Sequence, residues 1–113
     1  YEGDYLAGER HGNGTRYFVN GQIEYEGEWC QGKQDGHGTR YFENGQIEYH
    51  GGWKKDWRDG HGKAYHPETG NKAYEGHYMA GKRGGHGTSY FDNGQADYQG
   101  EWKNDLRDGR GTE

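Results

Sequence analysis

The chain has 113 residues, of which 24 are glycine, and its only leucine, valine or isoleucine residues are two leucines, one valine and two isoleucines. So few aliphatic side chains exclude a conventional two-layer core, and the 11 tyrosines, four tryptophans and three phenylalanines must form the core instead. The net charge of −5 disfavours nucleic acid as a partner, and the single cysteine, Cys30, excludes an internal disulfide. We expect a cytoplasmic protein, with peripheral association to a membrane or the cytoskeleton left open.

An internal repeat organises the whole chain. The motif Tyr-x-Gly begins at Tyr1, Tyr25, Tyr49, Tyr74 and Tyr98. An aromatic residue follows each tyrosine by four positions, and a Gly-x-Gly motif follows further on. This pattern predicts one array over residues 1–113, with repeats 1–24, 25–48, 49–73 and 74–97 and a partial repeat 98–113.

Each repeat is predicted to be a β-hairpin. Asn-Gly, the strongest short hairpin signal, occurs at Asn20-Gly21, Asn44-Gly45 and Asn93-Gly94, and predicts a two-residue turn in which both residues have positive φ. Pairing outward from Asn20-Gly21 places Phe18 opposite Ile23. The same register places Arg16 opposite Tyr25 and Gly12 opposite Trp29, and in the third repeat His66 opposite Lys72.

The alternation of side chains predicts one aromatic and one acidic face. The first face carries Phe18, Ile23, Tyr25 and Trp29, with glycines that leave room for the rings. The second face carries Thr15, Tyr17, Glu24, Glu26 and Glu28. Ten such strands spaced about 4.8 Å apart predict a sheet roughly 45 Å long.

Histidine, cysteine and glycine motifs do not predict catalysis, a metal site or a cofactor. His37, His61 and His86 share one repeat position, and equivalent positions lie about 9.6 Å apart, too far for one zinc ion. The register pairs His86 with Glu101 and His61 with His77, which favours surface cross-strand pairs; a metal clip or pH-sensitive spot at His61 and His77 is the alternative. Because most notable residues recur one repeat away, we expect no enzyme activity.

Residues 25–38, Tyr-Glu-Gly-Glu-Trp-Cys-Gln-Gly-Lys-Gln-Asp-Gly-His-Gly, resemble the membrane occupation and recognition nexus (MORN) repeat. The resemblance extends over the whole chain. It departs at Asp56 and Asp105, which replace a loop glycine. Together with the hairpins it implies an all-β fold, an elongated single-layer twisted antiparallel sheet of tandem hairpins. It also implies a non-enzymatic scaffold that binds a helical or extended protein segment in an aromatic groove and self-associates.

The residues predicted to line this groove are Tyr25, Trp29, Tyr49, Trp53, Tyr74, Tyr78, Tyr98 and Trp102. Two alternatives remain: a phospholipid-association module, or the targeting arm of a larger enzyme. The basic residues expected to face a lipid surface are Lys33, Lys54, Lys55, Lys82, Arg58 and Arg83. Acidic residues offset them, so we expect weak or no phospholipid binding. The uncapped sheet ends predict that either flanking sequence covers them or two chains meet there as a homodimer.

Overall fold

The chain folds as a single antiparallel sheet. The structure, a computed structural model, describes the backbone of residues 1–112 and the side chains of residues 1–108. The ten strands are β1 (Glu2–Leu6), β2 (Glu9–Tyr17), β3 (Ile23–Cys30), β4 (Lys33–Tyr41), β5 (Ile47–Lys54), β6 (Trp57–Tyr65), β7 (Lys72–Met79), β8 (Lys82–Tyr90), β9 (Ala96–Lys103) and β10 (Leu106–Thr112). They lie side by side in chain order. The molecule measures 47 × 26 × 15 Å, which confirms the predicted elongated sheet of consecutive hairpins.

The structure describes only part of the predicted fifth repeat. Glu113 and the side chains of residues 109–112 lie outside the described part of the chain. Within the described residues, no helix is long and apolar enough to cross a lipid bilayer.

The two-residue turn predicted at Asn-Gly occurs instead at the other end of the hairpins. Two-residue turns with positive φ at both positions join β1 to β2 and every second pair thereafter, as at Gln31 (φ 51°) and Gly32 (φ 80°). We call the edge formed by these turns the tight-turn edge. At Asn20-Gly21 only the glycine has positive φ. The turn there is a three-residue loop, because the Gly21 N–H donates to the Phe18 carbonyl and the Phe18 N–H donates to the Gln22 carbonyl.

Most of the predicted register is confirmed. Gly12 lies opposite Trp29 and Arg16 lies opposite Tyr25. Nearer the loop the register shifts by one residue, so Tyr17, not Phe18, faces Ile23. In the third repeat Tyr65, not His66, likewise faces Lys72. The two-residue turn assumed at Asn-Gly was one residue too short, and a β-bulge absorbs the difference.

The bulge changes the predicted face of two residues in the first repeat. Ile23 was predicted on the aromatic face, but it lies opposite Tyr17 and therefore shares the other face with it. Glu24 was predicted on the acidic face, but its carboxylate binds the Arg16 guanidinium at 3.1 Å. Arg16 in turn lies over the Trp29 ring. Glu24 therefore lies on the aromatic face, because the extra residue of a bulge reverses the alternation of side chains.

The core is one layer of rings packed edge to face along the aromatic face. Tyr25 contacts Trp29 in its own repeat at a centroid distance of 5.1 Å and Trp53 in the next at 5.5 Å. The Trp29 indole N–H donates to the Gly14 carbonyl at 3.0 Å. A Cβ at Gly38 would collide with the Tyr25 hydroxyl, which confirms that glycine provides room for the rings.

Candidate functional site

The eight residues predicted to line the groove are the buried core of the sheet. Tyr25 and Tyr49 have no exposed surface, and the most exposed of the eight, Trp53, is 7% exposed. Their rings pack mainly against one another. Binding through these rings stays a prediction, and a partner would meet mainly the polar side chains that lie over them.

Burial also keeps the core tyrosines neutral. Desolvation raises the pKa of Tyr74 to about 12. It likewise raises the pKa of Tyr25, Tyr49 and Tyr78 above the ordinary value of tyrosine. The hydroxyls of Tyr25, Tyr49 and Tyr74 donate to backbone carbonyls, as that of Tyr25 does to the Glu28 carbonyl at 2.9 Å. These hydroxyls are therefore structural groups, not acids or bases available for chemistry near neutral pH.

Arginine side chains lie over the rings. The Arg58 guanidinium lies 4.7 Å from the centroid of the Tyr49 ring, and the Arg83 guanidinium lies 4.3 Å from that of Trp102. Both arginines were predicted to face lipid, but the structure places them on the aromatic face with carboxylate partners, Glu48 for Arg58 and Asp105 for Arg83. The four lysines of the predicted lipid-facing set, Lys33, Lys54, Lys55 and Lys82, are exposed at the tight-turn edge.

A chain of alternating charges crosses the aromatic face in the first three repeats. Glu24 binds Arg16 at 3.1 Å and Arg40 at 3.3 Å. Glu48 then binds Arg40 at 3.5 Å and Arg58 at 2.7 Å. We call these five residues the ion-pair ladder. It was missed in the sequence because the bulge that brings the glutamates to this face was not recognised.

The ladder is interrupted beyond Arg58. The ladder positions hold arginine, glutamate and arginine in the earlier repeats. The equivalent positions in the later strands hold Ala64, Ala73 and Ser89. The next acidic residue, Asp97, binds Arg107 at 2.6 Å. Small side chains thus stand where charged side chains lie over the rings in the first half of the array, although the rings of both halves are buried.

Three hollows lie along the aromatic face and share lining residues. The first, about 260 Å³, lies between Arg40, Trp53 and Arg58. The second, about 330 Å³, shares Arg58 with it, and the third, about 650 Å³, shares Ala73 and Arg83 with the second. We call this row of adjoining hollows the groove.

The opposite face carries the predicted histidine pairs. His61 faces His77 with ring centroids 5.9 Å apart, and the His86 Nδ1 lies 2.8 Å from a Glu101 carboxylate oxygen, as the register predicted. Among the described residues, no three His, Cys, Asp or Glu side chains lie close enough together to hold a metal ion.

Several exposed apolar side chains lie at the tight-turn edge. Trp57 is 60% exposed, Met79 68% and Leu106 69%. The Trp57 ring extends over Gly81 of the next tight turn. This edge therefore combines apolar surface with the exposed lysines.

Comparison with known proteins identifies the family. The MORN repeat model matches residues 1–23, 25–47, 49–67, 74–96 and 98–113. No curated protein matches the chain. MORN repeats form a non-catalytic module that generally serves in protein or membrane interaction. Five matched repeats, together with the sheet of consecutive hairpins, show that this chain belongs to the MORN repeat family.

Proposed function

We propose that this chain is a non-enzymatic scaffold that binds a segment of a partner protein along the groove. The observation that carries the proposal is the row of three adjoining hollows, in which the first and second share Arg58 and the second and third share Ala73 and Arg83. A compact ligand would occupy one hollow, whereas an extended or helical segment matches a row of them.

The chemistry of the groove also suits a polypeptide. Its floor consists of ring edges, and its walls carry both guanidinium and carboxylate groups, such as Arg58 with Glu48 and Arg107 with Asp97. Aromatic and arginine side chains supply much of the binding energy at protein interfaces.

A peptide selection tests the proposal. A displayed library of random peptides is selected on the folded array, and the selected peptides are measured against two matched variants. Ala73→Glu fills the groove with the side chain that Glu24 and Glu48 place at the equivalent position. Gln99→Glu adds the same charge on the opposite face, where Glu26 and Glu75 are equivalent.

We expect Ala73→Glu to weaken binding about tenfold or more, because loss of a well-packed contact costs over 1 kcal/mol, and we expect Gln99→Glu to bind as the parent does. Equal affinity of both variants for every selected peptide would contradict the proposal. Each substitution introduces a residue that other repeats already hold, so both variants should fold.

A second candidate function is adsorption to phospholipid through the tight-turn edge. Exposed Trp57 and Met79 lie there with exposed Lys54 and Lys55. Each basic residue near an anionic leaflet contributes about 1 kcal/mol, and buried apolar surface adds to it.

Co-sedimentation with neutral and anionic vesicles, at low and physiological salt, tests this second function. The two variants to compare are Lys54→Glu at the tight-turn edge and Lys63→Glu on the face opposite the aromatic face. Membrane association would become the main function if two results are obtained. The parent must sediment with anionic vesicles at physiological salt, and Lys54→Glu must lose this binding more readily than Lys63→Glu. If the parent does not sediment with anionic vesicles at either salt concentration, this candidate function is excluded.

A further inference from the structure

The interruption of the ion-pair ladder leaves one carboxylate without its usual second partner. Glu24 and Glu48 each bind one arginine from the preceding strand and one from the following strand. Asp97 stands at the equivalent position and binds Arg107 of the following strand. On the preceding strand Ser89 replaces arginine, and no other described cation pairs with Asp97.

The ring beneath this position also has one arginine over it where its counterpart in the first hairpins has two. In the first hairpins, Trp29 has Arg10 at 5.2 Å and Arg16 at 5.6 Å from its ring centroid. Trp102 is the equivalent ring, and Arg83 lies 4.3 Å from its centroid in the place of Arg10. Ser89 stands in the place of Arg16 and is too short to reach over the ring.

Ser89 itself is a buried polar group with an unsatisfied hydroxyl. It is 7% exposed, and its Oγ has no hydrogen-bond partner among the described residues. Ser89, Ala73, Asp97 and Trp102 all line the largest hollow of the groove, about 650 Å³ in volume. A buried hydroxyl without a partner is costly, and a polar ligand in this hollow would satisfy it.

We propose that this hollow receives the guanidinium of an arginine from the bound protein segment. The proposal deepens the proposed function, on which it rests. The arginine lies over Trp102 and donates to the second oxygen of Asp97 and to Ser89 Oγ. It thus takes the place that the chain's own Arg16 and Arg40 occupy in the earlier repeats. A guanidinium suits this place better than an ammonium because its planar fork both stacks on a ring and reaches two acceptors. The net charge of −5 favours a basic segment.

The test uses a blocked alanine peptide that carries one arginine, with citrulline and lysine versions as probes. Citrulline keeps the shape of arginine and removes its charge. Binding to the whole chain is followed by nuclear magnetic resonance of the Trp102 indole N–H and the Ser89 amide. We expect saturable shifts with the arginine peptide and at least about tenfold weaker binding of the citrulline peptide, because a charge-assisted hydrogen bond is roughly twice as strong as a neutral one.

Two matched variants locate the binding. Ser89→Arg places in the hollow the side chain that Arg16 and Arg40 provide in earlier repeats. Because this side chain occupies the proposed site, we expect the variant to show no shifts with the arginine peptide. Thr88→Lys adds a cation one residue away on the opposite face, where Lys63 is equivalent, and we expect it to bind as the parent does. Asp97→Asn keeps the side-chain shape, removes the charge and should also weaken binding about tenfold.

Three results would overturn the inference: no shift with the arginine peptide, equal affinity of the citrulline peptide, or undiminished binding to Ser89→Arg. These results are separable from failure of the proposed function. If selected peptides without arginine bind the groove and lose affinity with Ala73→Glu, the scaffold function stands and the arginine site fails. If the arginine peptide binds but longer peptides do not bind along the groove, the arginine site stands and the scaffold function fails.

Discussion

Asp105 and Arg83 are joined by reciprocal hydrogen bonds between neighbouring tight turns. The Asp105 N–H donates to the Arg83 carbonyl at 3.0 Å, and the Arg83 N–H donates to the Asp105 carboxylate at 2.7 Å. Asp56 and Gln34 repeat the arrangement, at 2.9 and 2.8 Å. Gly32 and Gly81, at the equivalent position in two other tight turns, make only the first of these bonds, to the Arg10 and Arg58 carbonyls. The two departures from the repeat pattern therefore strengthen contacts between successive tight turns.

Substitution of Asp56 should separate the hydrogen bond from the backbone conformation. Asp56 has φ 70°, a region that glycine adopts freely and aspartate or asparagine tolerates. Asp56→Ala loses the bond and keeps the strained φ, so we expect a loss of about 2 kcal/mol in the free energy of unfolding. Asp56→Gly should be close to the parent, and so should Asp56→Asn, which retains an acceptor oxygen. Urea denaturation measures all three; an alanine variant as stable as the parent would show that the side-chain bond contributes nothing.

Two glycine-to-alanine substitutions should have opposite effects. At Gly38 an added Cβ would collide with the Tyr25 hydroxyl, and the fully buried Tyr25 ring has no space to move into. We expect Gly38→Ala to destabilise the array by about 1–3 kcal/mol. At Gly84 the added Cβ would make ordinary contact with Met79, so Gly84→Ala should be neutral or stabilising by about 0.5 kcal/mol. Thermal unfolding compares the two; equal destabilisation would contradict the packing role of Gly38.

The indole of Trp53 should be required for stability. Its Nε1–H donates to the Gly38 carbonyl at 3.1 Å, and the ring packs edge to face on Tyr25 and Tyr49. We expect Trp53→Phe to cost about 1–3 kcal/mol because that bond is lost, and Trp53→Ala about 3–5 kcal/mol because a cavity remains. Trp57→Phe serves as control, since Trp57 is exposed. Guanidinium denaturation of the three variants gives the order, and similar losses for Trp53→Phe and Trp57→Phe would refute the assignment.

The array should lose stability at alkaline pH through its core tyrosines. Burial raises the pKa of Tyr74 from 10.0 to about 12, so the folded state retains a proton that the unfolded state releases. The stabilisation is therefore complete below pH 10 and is lost as pH rises toward 12. Ultraviolet absorbance should show the core tyrosines ionising together with the loss of the β-sheet circular dichroism signal. Their ionisation while that signal persists would mean that water reaches these hydroxyls in the folded sheet.

Completion of the ion-pair ladder should stabilise the second half of the array. The double variant Ala73→Glu with Ser89→Arg restores the pattern of Glu24 and Arg40 next to Arg58 and Asp97. Because these pairs are partly exposed, we expect a gain of about 0.5–1.5 kcal/mol that diminishes with salt. A double-mutant cycle in low and high salt measures it. Additive effects of the two single substitutions would indicate that the introduced side chains do not interact.

The sequence alone determined the hairpin repeat, the ring core and the register next to the rings. The Tyr-x-Gly and Gly-x-Gly spacing is informative because a Cβ at Gly38 cannot coexist with the Tyr25 ring, so pattern and packing express one constraint. Only the tertiary structure decided which turn is tight, because Asn20 satisfies the Gln22 N–H with its side chain and keeps an ordinary φ. Only the tertiary structure placed Glu24 and Glu48 on the aromatic face, since a bulge of one residue reverses the side-chain alternation and depends on the geometry of the whole hairpin. The ladder and the hollow beside Ser89 follow from that bulge.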